Sequence, residues 1–383
     1  MTELRMGTPE EAGASPERVQ RVRELCSGWI EEGMGPALVV LAARRGVVFL
    51  HEAYGRLRPD SDAPVQLDSV FPLASISKPL TATAIMLLVE AGRVGLNRPV
   101  QAYVPEFAGP GKDRIMVRHL LTHTSGMRDD DTFAYGDMQE GRRDIPPPEP
   151  NQHPGINRVL HLRIGAPQRQ PPGVEMHYYN FGFTLLGEVV RRVTGESFDD
   201  FTRRRVFAPL GMTDTHFTVP EALKYRIVKR HEGTPYDWWN GPENEDWPGP
   251  AGGAFSTAMD MARFGQMFLN GGEYGGARLL SPASVAAMTR DQTGLRMQIP
   301  YDETSFPNCP YGLGWFLYGA DTSRKSGGLW SPGTFGHSGS GGVMLWVDPA
   351  YELVGVFFFA QVQEDVWPGD LFANAVTASI IDV

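Results

Sequence analysis

The chain has 383 residues, 42% of them hydrophobic and 21% charged, enough apolar material to bury a large core without disulfides or metals. Its formal net charge of -10, with both signs mixed along the chain, offers no basic stripe for a phosphate backbone, so no nucleic-acid partner is expected. Its two cysteines, Cys26 and Cys309, form no C-x-x-C pair, which excludes a disulfide framework or a thiolate zinc site and leaves two inert thiols.

The start, Met1-Thr2-Glu3-Leu4-Arg5, has no apolar h-region, so no secretory signal is read and a cytoplasmic location is expected. From Pro16 to about Glu32, residues Val19, Val22, Leu25, Cys26, Trp29 and Ile30 recur at helical spacing. The apolar run Ala37–Leu41 then turns at Arg44-Arg45-Gly46 into Val47–His51, which predicts a strand and an antiparallel hairpin. Helical periodicity follows at Thr81–Ala91, Phe181–Val193, Phe198–Val206 and Met259–Leu269. Between them Arg142–Pro172, with Pro146-Pro147-Pro148 and Pro171-Pro172, reads as a long loop bordering the site. Near the end, Gly333–His337, Gly342–Val347 and Glu352–Ala360 read as three strands, closed by a helix from about Asp370 to Ile381. The most apolar stretch, Leu353–Ala360, is far shorter than the roughly 20 residues a membrane helix needs, so no membrane span is expected.

Strands at both ends can share one antiparallel sheet only if the chain returns to its starting layer, which predicts an α/β sandwich. The expected division is a discontinuous sheet domain, residues 1–74 with 310–383, and a mainly helical domain, 75–309. The cleft between them is the default binding site.

Acyl transfer through serine needs a nucleophile, a base within hydrogen-bond reach and donors for the oxyanion. Ser75-Ile76-Ser77-Lys78 supplies the first two: if Ser75 opens the helix that runs on through Ala91, Lys78 falls one turn later on the same face. Pro79 fits only the first turn of such a helix. With 18 serines and 5 lysines a chance S-x-x-K is expected roughly 0.2 times, and this is its only copy. The apolar flanks Phe71–Ala74 and Ile85–Leu88 argue for a buried lysine of lowered pKa, able to act as a base, against a solvated lysine behind a serine N-cap. The only Y-x-N, Tyr178-Tyr179-Asn180, sets a phenol and an amide just before an apolar helix. Finally, Gly336-His337-Ser338-Gly339-Ser340-Gly341-Gly342 reads either as a glycine-rich turn or as a strand edge whose backbone can approach a substrate.

In this order, S-x-x-K, Y-x-N and H-x-G before a C-terminal strand resemble the serine β-lactamase and penicillin-binding-protein superfamily, near its class C branch. His119-Leu120-Leu121-Thr122-His123-Thr124-Ser125-Gly126 and Leu185-Leu186-Gly187-Glu188 are phrases of the same family, and the resemblance runs from about Val70 to Phe359. It implies a β-lactamase-like α/β (α+β) fold and a cofactor-free serine hydrolase acting on a small acyl ester or amide. It also implies acylation of Ser75, proton transfer by Lys78 and Tyr178, orientation of lysine and substrate by Asn180, and an oxyanion hole from the backbone amides of Ser75 and Ser340. His337-Ser338-Gly339 stands where the family's β-lactamases carry K-T-G, whose lysine holds a substrate carboxylate. That departure shifts the expectation from β-lactams to the family's esterases, acyltransferases and D-amino-acid peptidases, and assigns His337 to Tyr178 or the leaving group.

Two other classes compete. His119 and His123 form an i,i+4 pair able to bind zinc if helical, but lack the glutamate of H-E-x-x-H and a third ligand; a structural role is the reading here. No G-x-S-x-G occurs, which disfavours an α/β-hydrolase. A catalytically inactive ligand-binding homologue would have lost one of Ser75, Lys78 and Tyr178, and all three are present. The aromatic segment Tyr236-Asp237-Trp238-Trp239 with Trp247 reads as an acyl-pocket wall or as interdomain packing. Oligomeric state, the acyl group, and water or alcohol as acceptor stay open.

Overall fold

The computed structural model describes residues 2–294, 297–299, 302–306, 310–320, 328–362 and 367–382, with side chains except at 297–299, 302–306 and 367. Cys309 lies outside the described residues; Cys26 is a buried free thiol whose pKa burial pushes up.

Six strands make the principal sheet: β1 (Arg5–Met6), β2 (Ala37–Arg44), β3 (Val47–Gly55), β4 (Phe335–Gly339), β5 (Val343–Asp348) and β6 (Leu353–Phe359). Their order is β1-β3-β2-β6-β5-β4, so the seam between the two ends of the chain is the β2–β6 pair, in register Val39↔Phe358 and Val40↔Phe357. All pairings are antiparallel except the short edge pair, where Arg5 and Met6 run parallel to Val47 and Val48. The expected purely antiparallel sheet is thus corrected at one edge, where two residues carry no periodicity to read.

Every residue of β2 is buried, because both faces of the sheet are covered and the strand is a continuous apolar run. Leu38, Val40 and Ala42 share a cluster with Val19, Val22 and Trp29 of α1 (Pro16–Glu31) and with Phe372 and Val376 of the last helix, Trp367–Ser379. Val39, Leu41 and Ala43 belong to the larger core, against the helix Ala258–Leu269. Gly265 of that helix rides directly on the sheet: a Cβ there would lie 2.7 Å from Val354 Cγ1.

The middle of the chain supplies α2 (Ser77–Glu90), α3 (Asp129–Gln139), α4 (Pro154–Arg163) and α5 (Asn180–Thr194). Helix α4 corrects the expectation of a structureless Arg142–Pro172 loop. Pro154 sits at its first position, where a missing N–H costs nothing, and the His153 ring caps it by accepting the Gly155 N–H at 3.2 Å. Ile156 and Leu160 then bury against the core. The Phe198–Val206 periodicity is α-helical only through Thr202, after which a π-turn spans Arg203–Phe207. Among the described residues no helix is long and apolar enough to cross a membrane.

Candidate active site

The two-residue strand Phe71–Pro72, paired with Phe255–Ser256, delivers the chain to a tight turn. Ala74 takes φ 45°, a left-handed conformation unfavourable for a residue with a Cβ, and a 3-10 turn over Ala74–Ile76 leads into α2. Ser77 pins this turn: its hydroxyl donates to the Ala74 carbonyl at 2.7 Å and accepts the Ala254 N–H at 2.9 Å. Pro79 is the third helical residue, where no intrahelical N–H is needed.

Ser75 is half-buried at the mouth of the turn, and Lys78, fully buried, faces it. Lys78 Nζ lies 2.9 Å from Ser75 Oγ, 2.8 Å from Asn180 Oδ1 and 2.8 Å from the Ala251 carbonyl oxygen. Burial pulls its pKa from 10.5 to about 7, against a smaller upward pull from the charge of Asp129. A neutral amine has two N–H groups and one lone pair. With Asn180 and Ala251 taking the two hydrogens, the lone pair is left for the Ser75 hydroxyl.

Asp129, at the start of α3, is the residue the sequence reading missed. Its buried carboxylate accepts the Asn180 backbone N–H and Asn180 Nδ2, both at 2.8 Å on Oδ2, and the Phe181 N–H at 3.2 Å on Oδ1. It therefore caps α5 and fixes which end of the Asn180 amide faces Lys78. Burial pushes its pKa up, against these N–H donors and Lys78, which favour the ionised form.

Tyr178 is 8% exposed and packs its ring beneath the lysine, with Lys78 Nζ 4.6 Å from the ring centroid. Its other neighbours are His123, stacked at 4.3 Å between centroids, and Phe316 at 6.2 Å. His123 sits at φ 57°, beyond the end of the helix Val117–Leu121, so it does not share a helical face with His119. Its Nδ1 accepts the Tyr179 N–H at 3.0 Å, while His119 Nδ1 accepts the Met116 N–H at 3.1 Å. Burial first, then the charge of Lys78, holds His123 well below the ordinary histidine pKa, so it is a neutral wall of the site.

On the opposite side β4 presses its edge onto the serine turn. A Cβ on Gly339 would fall 2.2 Å from the Leu73 carbonyl oxygen and 3.1 Å from Ala74 Cβ, so only glycine permits this approach. Ser340 follows immediately, exposed in the turn to β5. His337 is fully buried: Nδ1 faces the Ser338 carbonyl at 2.7 Å, which places the proton there, and Nε2 faces the Tyr311 hydroxyl at 3.4 Å. Its ring lies 4.7 Å from that of Phe316 and 6.4 Å from that of Tyr178. Ser75, Lys78, Tyr178 and Asn180 are thus gathered around one amine, and Gly339 and Ser340 lie beside the serine turn. His337 lines the wall behind them. Of the aromatic segment, Trp239 is buried in a cluster with Val70, Ala74 and Phe255, Trp238 stacks on it at 4.4 Å, and Trp247 packs on His153.

The family model described as Beta-lactamase matches residues 27–378. Penicillin-binding protein 4 of Amycolatopsis lactamdurans is 33% identical over 307 residues, covering 76% of this chain and 72% of that protein. Among solved structures, a penicillin-binding-protein homologue from Caulobacter crescentus superposes with a TM-score of 0.76 at 22% identity, covering 96% of this chain and 99% of that one. A family VIII carboxylesterase gives 0.76 at 20% identity, covering 96% and 98%. At these identities the two structures speak to the fold alone.

Proposed function

The chain belongs to the Beta-lactamase family, within the serine-hydrolase superfamily of the β-lactamase and penicillin-binding-protein fold, and from that premise we propose that it is a carboxylesterase that forms an acyl-enzyme through Ser75 on small or medium acyl esters. The observation that carries the reading is the 2.9 Å contact between Ser75 Oγ and an amine that burial brings to a pKa of about 7. In this reading neutral Lys78 takes the Ser75 proton as Oγ bonds to the acyl carbon. The backbone amides of Ser75 and Ser340 receive the oxyanion, and the proton passes by way of Lys78 and Tyr178 to the leaving alkoxide. Water, giving its proton to the same coupled pair, then releases the acid and restores Ser75.

The departure at His337 supports esters over β-lactams, because a fully buried imidazole stands where the family's β-lactamases present a lysine ammonium to the substrate carboxylate. The 33% identity to a protein named for penicillin binding favours, as a second reading, a D-amino-acid amidase or peptidase of the same fold. An alkyl fluorophosphonate tests the proposal: it is expected to add one phosphonyl group, mapped to Ser75, in the wild type and none in Lys78→Met at pH 7. Labelling elsewhere, or equal labelling of both, contradicts it. Release of p-nitrophenol from p-nitrophenyl butyrate without release of p-nitroaniline from D-alanine p-nitroanilide favours the esterase, and the reverse favours the amidase.

A further inference from the structure

Thr81 is fully buried on α2, and nothing in the mechanism above uses it. A threonine inside a helix ordinarily spends its hydroxyl on the carbonyl four residues back, as Thr83 does on Pro79 at 2.9 Å. Thr81 instead donates out of the helix, to the Pro250 carbonyl at 2.7 Å, across 169 positions of chain. The next carbonyl along, that of Ala251, is the one that accepts from Lys78 Nζ at 2.8 Å. Lys78 and Thr81 stand three residues apart on α2, so one helix face holds two successive carbonyls of one loop. Ser77, four residues before Thr81, accepts the Ala254 N–H of the same loop at 2.9 Å.

The loop is a tight turn. The Gly249 carbonyl accepts the Gly252 N–H at 3.1 Å and the Gly253 N–H at 2.7 Å, which puts Pro250 and Ala251 at its tip. A Cβ on Gly253 would fall 2.3 Å from the Trp247 carbonyl oxygen, so the turn closes only on glycine. On its far side the tip meets α5, where a Cβ on Gly187 would lie 2.3 Å from Pro250 Cγ. Pro250 is thus seated between the helix that carries Lys78 and the helix that begins with Asn180. A buried carbonyl needs a donor, and among the described residues the Thr81 hydroxyl is the donor that Pro250 receives.

The aim of the Ala251 carbonyl decides what the Lys78 amine offers to Ser75. With one hydrogen held by Asn180 Oδ1 at 2.8 Å and the other by the Ala251 oxygen at 2.8 Å, the neutral amine must turn its lone pair to Ser75 Oγ, 2.9 Å away. Without the Ala251 anchor the amine is free to rotate about its Cε–Nζ bond and to present a hydrogen to the serine, from which position it cannot take the serine's proton. We propose that Thr81 is a positioning residue of the acyl-transfer site: by holding the Pro250 carbonyl it aims the Ala251 carbonyl at the Lys78 amine, and so keeps the lone pair on Ser75. The inference rests on the serine-hydrolase reading for the task of Lys78, and on the hydrogen bonds between α2 and the loop for the role of Thr81.

Two measurements that need no ester test it. One is the rate at which an alkyl fluorophosphonate labels Ser75 from pH 5 to 9. The other is the NMR titration of Lys78 in protein carrying 13Cε-lysine, where the chain's five lysines give five signals and the one missing from Lys78→Met is assigned to Lys78. Thr81→Val is expected to label about tenfold or more slowly on the pH plateau. Its Lys78 signal is expected to titrate about half to one pH unit lower than in wild type, because a carbonyl oxygen stabilises an ammonium more than an amine. Thr81→Ser, which keeps the hydroxyl, is expected to restore most of both, and Thr81→Ala takes the place of the valine variant if that one does not fold. Labelling at the wild-type rate, a Lys78 titration left unmoved, or a serine variant no better than the valine one each overturns the proposal. If wild-type Ser75 is not labelled at all the serine-hydrolase reading fails, and the lysine titration with its serine rescue still decides whether Thr81 positions the amine.

Discussion

Replacing Asp129 by asparagine separates the electrostatic from the structural work of this buried carboxylate. Two 2.8 Å hydrogen bonds across the Asn180 carboxamide join it to Lys78 Nζ, a charge separation of roughly 7 Å. At that distance and an effective dielectric of about 20, a unit charge is worth about 2 kcal/mol, between one and two pH units. Asp129 raises the Lys78 pKa, so its removal takes the lysine further below about 7. The acid limb of kcat/KM, which follows loss of the Lys78 proton, is expected to move to lower pH by about one to two units. The variant's single oxygen keeps the two bonds from Asn180 and turns its NH2 toward the Phe181 N–H, at a cost of about 1–3 kcal/mol in stability. The assay is the pH dependence of p-nitrophenyl butyrate hydrolysis from pH 4.5 to 9, beside urea unfolding of both proteins. An unmoved acid limb with uniformly reduced rates would refute the electrostatic argument and leave Asp129 a helix cap; a limb shifted upward would contradict its sign.

The Lys78 shift also bears on stability. Its folded pKa of about 7 lies below the ordinary 10.5, so the unfolded chain binds the extra proton between these values and wild-type stability rises with pH across that window. Lys78→Met removes this dependence, and its stability relative to wild type is expected to be about 4–5 kcal/mol higher at pH 7 than at pH 10.5; a constant difference counts against the buried-lysine account. Gly339→Ala forces a Cβ to within 2.2 Å of the Leu73 carbonyl, so β4 must move away from the serine turn. A fall of about 10- to 100-fold in kcat, larger than any change in KM, is expected, and unaltered kcat would remove Gly339 from the oxyanion geometry. His123→Phe keeps an aromatic face against Tyr178 but loses the acceptor for the Tyr179 N–H. Thermal unfolding is expected to show a loss of about 1–3 kcal/mol, and an unchanged midpoint would show that this bond does not hold the Tyr178 segment.

What the sequence revealed of the site is what lies close along the chain. Ser75 and Lys78 meet because three residues span about one helical turn, and Tyr178 and Asn180 because two residues bracket a helix start. The strands Ala37–Arg44 and Leu353–Phe359 were legible for another reason: continuous apolar runs are needed where both faces are covered. Asp129 was hidden because it reaches Asn180 from 51 positions away, and Asp129-Asp130-Asp131 reads as a solvated acidic run. The Ala251 carbonyl, 173 positions from Lys78, is a backbone acceptor with no side-chain signature at all. Prolines concealed the helix Pro154–Arg163, since the residue that begins a helix at its first position is the one that breaks it elsewhere. Two residues of parallel edge strand at Arg5–Met6 are too short for any period.

Acylation of Ser75 is read by stopped-flow release of p-nitrophenol from p-nitrophenyl butyrate together with acid-quenched intact-protein mass spectrometry. A burst in wild type matched by one butyryl adduct at Ser75 is expected, with a loss of at least about a thousandfold in Ser75→Ala. Retention of more than a few per cent of activity by Ser75→Ala, or steady turnover that leaves no trace of an adduct under slowed deacylation, contradicts it.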